Sequence, residues 1–270
     1  MLPLVDCHNH SNHSFDAVDS MMDMCRQADK LHLTAFAITD HCDLTGNNTE
    51  ERSGVIRASV AEMQNVRKKL SSDCEFLTGV ELGEPLTDPI GADIILRLCS
   101  YDVVIGSIHS NKYGDDYYHL NPAHMTNEEI KQSLREYFEK LIAVARWAKI
   151  DVLAHITYPL RYLVGEHGVF VDLNDYRQEI DELFHTLIKN EIALEVNSSG
   201  LRQKIGEPIP NKALLKRYHE LGGTLVSLGS DSHCVKDLSA GISTCTRMLK
   251  DLGFPYVTYF KERKPVHLPL

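Results

Sequence analysis

The chain has 270 residues, of which 43% are hydrophobic, and its 28 basic and 38 acidic residues give a formal net charge of -10. This length and composition predict one domain over residues 1–270 with a substantial core. The acidic balance and the lack of a Lys/Arg-rich run disfavour extended nucleic acid as a partner. No apolar stretch approaches the roughly 18 residues that span a bilayer, and the first residues lack the basic region of a signal peptide. We therefore expect a soluble, cytoplasmic protein without a membrane partner.

Seven apolar runs predict strands, and six segments between them predict helices. The runs are Leu2–Val5, Ala35–Ile38, Phe76–Val80, Val103–Ile108, Val152–Ala154, Ile192–Val196 and Leu225–Leu228. The helical segments are Ser20–Lys30, Val55–Leu70, Asn127–Lys149, Asp175–Lys189, Asn211–Leu221 and Leu238–Leu252. Strands that alternate with helices imply right-handed crossovers and a parallel sheet. The pattern predicts an α/β barrel with about seven strands.

Metal-ligand side chains recur at the end of each apolar run. They are His8, His10, Asp40, His41, Glu81, His109, His155, Glu195, Asn197, Asp231 and His233. The carboxyl ends of parallel barrel strands meet in one pocket, so these distant residues are expected to lie together. Because residues two apart on a strand face the same way, His8 and His10 can reach one cation while Asp6 orients a ligand. The pattern is typical of a metal-dependent hydrolase.

The seven cysteines are an odd number without a C-x-x-C pair, and we expect reduced thiols. Cys7, Cys42 and Cys234 each adjoin one of the histidines, which raises a thiolate ligand as an alternative. Neighbouring residues of a strand point to opposite faces, so we expect these three cysteines to lie off the site.

The ordered set of motifs resembles the PHP (polymerase and histidinol phosphatase) family of metal-dependent phosphoesterases. The motifs are Asp6-Cys-His8-Asn-His10, Ile38-Thr-Asp40-His41, Gly79-Val-Glu81, Gly106-Ser-Ile-His109, Ala154-His155 and Gly229-Ser-Asp231-Ser-His233. The resemblance covers nearly the whole chain. It implies a distorted, TIM-like (β/α)7 barrel in a single domain, with a trinuclear metal centre. Imidazole and carboxylate ligands suit zinc, manganese or iron, and we expect two or three such divalent ions.

The same resemblance implies three groups of metal ligands. The first group is His8, His10, Glu81 and Asp231; the second is Glu81, His109 and His155; the third is Asp16, His41 and His233. Several family members have histidine where Asp16 stands, and His13 is a nearby alternative ligand.

Two cations bridged by Glu81 would polarise a shared water, and we expect the resulting hydroxide to attack the phosphorus. Clustered cations suit this reaction because phosphate monoester hydrolysis needs up to about 10²¹-fold acceleration. Asp231 and His233 are predicted catalytic residues. Asp40 is a third candidate with two interpretations, an acid for the leaving alkoxide or a group that orients a metal-bound imidazole.

Substrate-binding residues are predicted in segments that follow ligand strands. Arg161 and Arg202 could bind phosphate oxygens with the planar guanidinium fork, or form surface salt bridges. Asn197 could bind substrate or end its strand, and Glu195 has the same alternatives. Two insertions, 43–53 and 111–127, are expected at the pocket rim. His119 and His167 are further rim candidates.

Within the PHP family, the chain is most similar to the histidinol-phosphate phosphatases. Its compact length and the segment Glu195-Val-Asn197-Ser-Ser-Gly200-Leu-Arg202 carry this resemblance. It implies hydrolysis of L-histidinol phosphate in histidine biosynthesis, with Asp115, Asp116 and Glu166 available to recognise the substrate's positive charge. The alternatives are a phosphoesterase acting on nucleotides or short oligonucleotides, and a non-catalytic metal-binding module.

Overall fold

A computed structural model describes residues 2–46 and 48–270, and its central feature is a parallel sheet. In chain order the strands and helices are β1 (Val5–Asp6), α1 (Met21–Lys30), β2 (Ala35–Ile38), β3 (His41–Asp43), α2 (Thr49–Lys69), β4 (Glu75–Gly83), α3 (Pro89–Leu98), β5 (Val103–Ser107), α4 (Asn127–Trp147), β6 (Val152–Leu153), α5 (Tyr158–Leu160), α6 (Arg177–Lys189), β7 (Ala193–Asn197), α7 (Lys212–Glu220), β8 (Val226–Gly229), α8 (Ile242–Asp251), β9 (Tyr256–Lys261) and β10 (Lys264–Pro269). The sheet order is β1-β2-β4-β5-β6-β7-β8, with β3 also paired to β4.

β3 continues β2 after a short interruption. Ala35 pairs with Glu75 and His41 pairs with Glu81, so the register against β4 is unchanged across the break. The two segments therefore act as one barrel strand, and the predicted count of seven strands is confirmed. This register places the side chains of His41 and Glu81 next to each other.

Backbone hydrogen bonds between the first and last strand segments close the barrel. The Cys7 amide donates to the Leu228 carbonyl at 2.8 Å, the Asp231 amide to the His8 carbonyl at 2.8 Å, and the His10 amide to the Ser232 carbonyl at 2.9 Å. The pairing extends beyond β1 and β8 into the two ligand-bearing segments. Closure therefore brings the two ends of the ligand pattern side by side.

All six predicted helices are present, and α3 is an additional helix that the sequence pattern missed. Its apolar residues do not form one stripe, because Ile90 and Ile94 are exposed while Ala92 and Ile95 are buried. Helix α3 begins at Pro89, directly after Asp88, whose side chain accepts a hydrogen bond from the Gly91 amide. Helix α2 also begins earlier than predicted, within the segment assigned to a rim loop.

A further unpredicted element, the β9–β10 hairpin, covers the amino end of the barrel. The Glu262 amide donates to the Asp102 side chain at 3.1 Å, and Arg263 forms an ion pair with Asp151. Asp102 and Asp151 directly precede β5 and β6. The hairpin therefore closes the end opposite the ligand-bearing loops.

Within the described part of the chain, we find no helix whose length and apolar character would let it cross a membrane.

Helix α4 supplies a large part of the core and offers a test of the packing. Phe138 is fully buried against Tyr137 and Tyr176, whereas Phe170 is 89% exposed. We expect Phe138→Ala to lower the free energy of unfolding by about 3 to 5 kcal/mol, because it removes a buried ring and leaves a cavity. Phe170→Ala should change it by less than about 0.5 kcal/mol. Urea unfolding of both variants measures this; equal losses would contradict the packing described.

Candidate metal centre and substrate pocket

The structure brings all nine predicted metal ligands together at the carboxyl end of the barrel. They are His8, His10, Asp16, His41, Glu81, His109, His155, Asp231 and His233. Most are deeply buried, and Asp16 and His233 are the more accessible members. The cluster divides into three groups by distance.

In the first group, two imidazoles face two carboxylates. The Nε2 atoms of His8 and His10 lie 3.4 and 3.6 Å from Glu81 Oε2. His10 Nε2 also lies 3.5 Å from Asp231 Oδ1, and His8 Nε2 lies 4.0 Å from it. Ligands that hold one zinc ion at 2.0 to 2.2 Å are separated by roughly 3 to 4 Å. The four side chains therefore have the spacing of ligands to one cation.

The second group uses the other oxygen of Glu81. Its Oε1 lies 3.3 Å from His109 Nε2 and 3.2 Å from His155 Nε2, and the two Nε2 atoms are 3.4 Å apart. Because its two oxygens face different histidines, Glu81 can bridge two cations. This is the arrangement that the family resemblance implies.

The third group lies at the open side of the pocket. Asp16 Oδ2 is 3.2 Å from His233 Nε2 and 3.7 Å from His41 Nε2. His13, the alternative ligand, instead forms a 2.7 Å bond between its Nε2 and Glu62. The geometry therefore favours Asp16 over His13 as the third member.

Buried polar atoms without hydrogen bonds show that the cluster fits metal ions. Within residues 2–46 and 48–270, His8 Nε2, His10 Nε2 and Glu81 Oε2 are buried and make no hydrogen bond. Buried polar atoms are normally paired, and these three converge on one point. Imidazole nitrogens and carboxylate oxygens are ligands that zinc, manganese and iron share.

Polar contacts on the far side of the rings orient three of the candidate ligand histidines. Glu195 Oε1 accepts from His8 Nδ1 at 2.6 Å, and Asp43 Oδ1 lies 3.4 Å from His109 Nδ1. Such partners fix the tautomer, so that Nε2 presents its lone pair to the cation. Signs of these residues in the sequence are weak: Glu195 lies within a predicted strand, and Asp43 lies two positions beyond His41, on the same face.

Asp40 orients the third of these histidines and does not reach the pocket. Its carboxylate accepts hydrogen bonds from Ser11, Ser14 and Ser59 at 2.6 to 2.8 Å. Since Ser14 donates its one hydroxyl proton to Asp40, its oxygen is left to accept from His10 Nδ1 at 3.2 Å. The geometry favours the orienting interpretation of Asp40 over that of a leaving-group acid.

A cavity of about 530 Å³ opens onto the three groups. Arg161 lines it, donating to Ser199 Oγ at 2.8 Å and to Asp231 Oδ2 at 3.1 Å, and its guanidinium stacks on Tyr158. Arg161 Nε is buried and makes no hydrogen bond to any described residue. Both of these hydrogen bonds are made by Nη2, and Arg161 as a residue of the cavity wall can still donate from its guanidinium to a ligand.

Two other predicted substrate-binding residues lie outside the cavity. Arg202 donates to the backbone carbonyls of Ser230 and Asp231 at 2.7 and 2.9 Å and forms an ion pair with Asp237 at 3.6 Å, which supports the salt-bridge interpretation over that of a phosphate contact. Asn197 is fully buried, and its amide donates to Glu195 and Asp231 at 3.2 and 3.3 Å. Both residues support Asp231, which has a left-handed backbone with φ of 53°.

Some of the residues predicted at the pocket rim line the cavity, and others lie elsewhere. Asp116 and His119 line the cavity, whereas His167 lines a different depression. The side chain of Asp115 is 3.4 Å from that of Asn111, and Glu166 forms an ion pair with Lys204. Of the three predicted acidic groups, Asp116 is therefore the one that faces the site.

No cysteine belongs to the potential metal-binding groups found among the described residues. Cys42 is buried, and burial raises the pKa of its thiol to about 12. A thiol that holds its proton is a poor ligand. The alternative of a thiolate ligand is therefore not supported.

The carboxylates and histidines shift one another's pKa values strongly. Burial would raise the pKa of Glu81, but the adjacent histidines, His41 and His8 foremost, hold it well below its usual value. Burial likewise opposes protonation of His109, but Asp43 and Glu81 together raise its pKa to about 10. In the metal-free protein, imidazolium charge thus balances the buried carboxylates.

This barrel, with its three groups of imidazole and carboxylate side chains, defines the class of α/β-barrel proteins with a metal-binding site at the carboxyl end of the strands. The family model described as "PHP domain" matches residues 6–199. The chain belongs to the PHP domain family.

Relatives match over nearly their whole length. A protein from Thermotoga maritima named "Probable histidinol-phosphatase" is 32% identical over 256 residues, covering 94% of each chain. A Saccharomyces cerevisiae protein named "Histidinol-phosphatase" is 23% identical, covering 94% of this chain and 91% of its own. The crystal structure of histidinol phosphate phosphatase from Lactococcus lactis, complexed with zinc, L-histidinol and phosphate, has a TM-score of 0.80 at 22% identity. That comparison covers 98% of this chain and 100% of the other, and it confirms the fold.

Metal binding to the metal-free protein should release protons. Histidine binds a cation in its neutral form, and with a pKa of about 10 His109 is protonated at pH 7.5. A raised pKa means that protonation competes with the cation below that pKa. Apparent Zn²⁺ affinity should therefore increase as the pH rises from 6 towards 9.

Calorimetric Zn²⁺ titration in buffers of different ionisation enthalpy measures this release. Replacing the exposed His185 with Gln should leave it unchanged. A binding heat that does not depend on the buffer would contradict the prediction.

Proposed function

We propose that the protein hydrolyses L-histidinol phosphate to L-histidinol and phosphate, a reaction of histidine biosynthesis, with two or three divalent metal ions. The observation that carries the proposal is the set of nine metal ligands beside Arg161 in a cavity of about 530 Å³. That volume suits a small molecule. The relatives named histidinol-phosphatase support the choice of substrate. We propose zinc, manganese or iron as the metal.

When bound, such cations supply Lewis acidity that activates water and neutralises phosphoryl oxygens. Residues of the chain would bind the phosphate and position the reacting groups. Arg161 would bind a phosphoryl oxygen with its guanidinium from the cavity wall, next to the carboxylate of Asp231. Asp231 and His233, the proposed catalytic residues, lie with Oδ1 and Nδ1 3.7 Å apart on the cavity wall. Tyr158 packs against both Arg161 and His109, which fixes the phosphate end of the cavity.

Asp116 is proposed to recognise the ammonium group of the substrate. Its Oδ1 accepts from the Tyr118 amide at 2.8 Å and from the Tyr158 hydroxyl at 3.0 Å. The Tyr162 hydroxyl donates in turn to Tyr158 at 3.1 Å. These bonds hold the Asp116 carboxylate at the cavity wall. Tyr158 lies between this carboxylate and Arg161. A substrate with phosphate at one end and an ammonium at the other would satisfy both charges.

We propose that residues 1–270 act as one PHP-type domain, because β8 and two ligands lie beyond the family match that ends at residue 199. We also propose a cytoplasmic location. Seven free thiols suit a reducing compartment.

Phosphate release from L-histidinol phosphate, measured beside a panel of other monoesters and mononucleotides, tests the function. We expect the highest kcat/KM for L-histidinol phosphate. Asp231→Asn should abolish turnover and keep the fold, since it removes one ligand charge without changing shape. Arg177→Lys, an exposed substitution, should leave the rate unchanged. Equal rates across the panel, or full activity of Asp231→Asn, would refute the assignment.

Asp116→Asn tests substrate discrimination separately. Loss of a hydrogen bond to a charged group costs about 1.5 to 3 kcal/mol, so kcat/KM for L-histidinol phosphate should fall roughly 10- to 100-fold. Hydrolysis of an uncharged alkyl phosphate of similar size should be nearly unchanged. Asp115→Asn is the matched control, because this neighbouring carboxylate lies outside the cavity. An equal loss for both substrates would contradict ammonium recognition.

A further inference from the structure

We infer that Glu195 is a positioning residue that couples the first and second metal groups, and that Gly229 is required to make room for it. Nothing in the reaction proposed above needs Glu195 to touch the substrate. Its carboxylate is buried in the middle of β7, within the barrel and behind the candidate ligand histidines.

Each oxygen of Glu195 serves a different metal group. Oε1 accepts from His8 Nδ1 at 2.6 Å, which turns His8 Nε2 towards the first group. Oε2 accepts from the His155 backbone amide at 2.8 Å, which anchors the second group. Asn197 donates to the same Oε2 at 3.2 Å and to Asp231 at 3.3 Å. One carboxylate therefore bonds to ligands of both groups.

The contact with His155 also stabilises an unfavourable backbone conformation. His155 has a backbone φ of 25°, a conformation that residues other than glycine rarely adopt. Such conformations cost about 1 to 3 kcal/mol and persist where surrounding contacts enforce them. The bond from the His155 amide to Glu195 is a contact of this kind, so loss of the carboxylate should free His155 as well as His8.

Gly229 lies against this pair on the neighbouring strand β8. A Cβ atom at position 229 would be 2.5 Å from Glu195 Oε1 and 2.5 Å from His8 Cβ. Both distances are shorter than the contacts that real Cβ atoms make, so a larger residue must shift Glu195 or His8, the two partners of this hydrogen bond. The glycine thus serves the metal site through absence of a side chain.

Glu195→Gln is a sharp test because a carboxamide cannot replace the carboxylate here. Glu195 accepts hydrogen bonds on both oxygens, whereas glutamine would present an NH₂ group to one of the donors. Loss of such a partner typically lowers metal affinity 10- to 100-fold. Competition between the holoprotein and a chromophoric Zn²⁺ chelator should show this loss for two Zn²⁺ equivalents, while the group of Asp16, His41 and His233 keeps its affinity.

Two controls distinguish coupling from general damage. Asp43→Asn removes a partner of His109 alone and should weaken one equivalent. Glu220→Gln changes an exposed carboxylate on α7 and should weaken none. The coupling would be refuted if Glu195→Gln bound every Zn²⁺ equivalent with wild-type affinity, or if it weakened the binding of only one Zn²⁺ equivalent. The measurement of Zn²⁺ affinity does not involve the substrate. If the proposed substrate proves wrong, this inference still holds, and if this inference proves wrong, the proposed function still holds.

Gly229→Ala supplies an independent test and still applies if Glu195→Gln does not fold. It should reproduce the affinity loss of Glu195→Gln while leaving the carboxylate in place. Gly54→Ala, on α2 with no atom near its added Cβ, is the matched control. The double variant Glu195→Gln/Gly229→Ala should lose no more than the larger single loss, because both changes break the same contact. Additive losses, or unaltered metal affinity in Gly229→Ala, would refute the role of the glycine.

Discussion

A carboxylate with no access to solvent lies at the centre of the site, and the rest of the structure depends on balancing its charge. Five imidazole rings have a nitrogen within 3.6 Å of the Glu81 oxygens. A buried ion without partners costs several kcal/mol, so the surrounding chain must supply positive charge. Imidazolium groups do so in the metal-free protein, and metal ions would do so in the working one. The same charge balance that stabilises the fold therefore prepares the site for cations.

Holding so many ligands in place requires a further layer of contacts. Asp40, Asp43 and Glu195 act behind the histidines, through Ser14 or directly. Two ligands, His155 and Asp231, have left-handed backbones, which other contacts must stabilise. Asp231 is held through Arg202, whose guanidinium bonds to two successive carbonyls. The positions of these two candidate ligands thus depend on a strained backbone that neighbouring contacts hold in place.

The two ends of the barrel have separate tasks. The hairpin anchored by Asp102 and Asp151 closes the amino end, where its contacts serve stability. The carboxyl end carries the ligands, the cavity and the loop that presents Asp116. Because the cavity wall joins Arg161 to Asp116 through Tyr158, the proposed recognition of the substrate's ammonium group would take place away from the candidate metal ligands. Substrate choice can therefore change in the loops without disturbing the cluster.

The sequence predicted the barrel and the nine candidate ligands, because the apolar runs and the ligand-type residues that directly follow them, such as His8 and His10, are local properties. They could not reveal α3, whose apolar residues lack a single stripe, or the direction in which a long side chain points. Arg161 and Arg202 look alike in sequence, yet one lines the cavity and the other bonds to the backbone. The contacts of Glu195 and Gly229 join segments far apart in the chain. Only closure of the barrel, which sets β8 beside β1 and β7, decides such contacts.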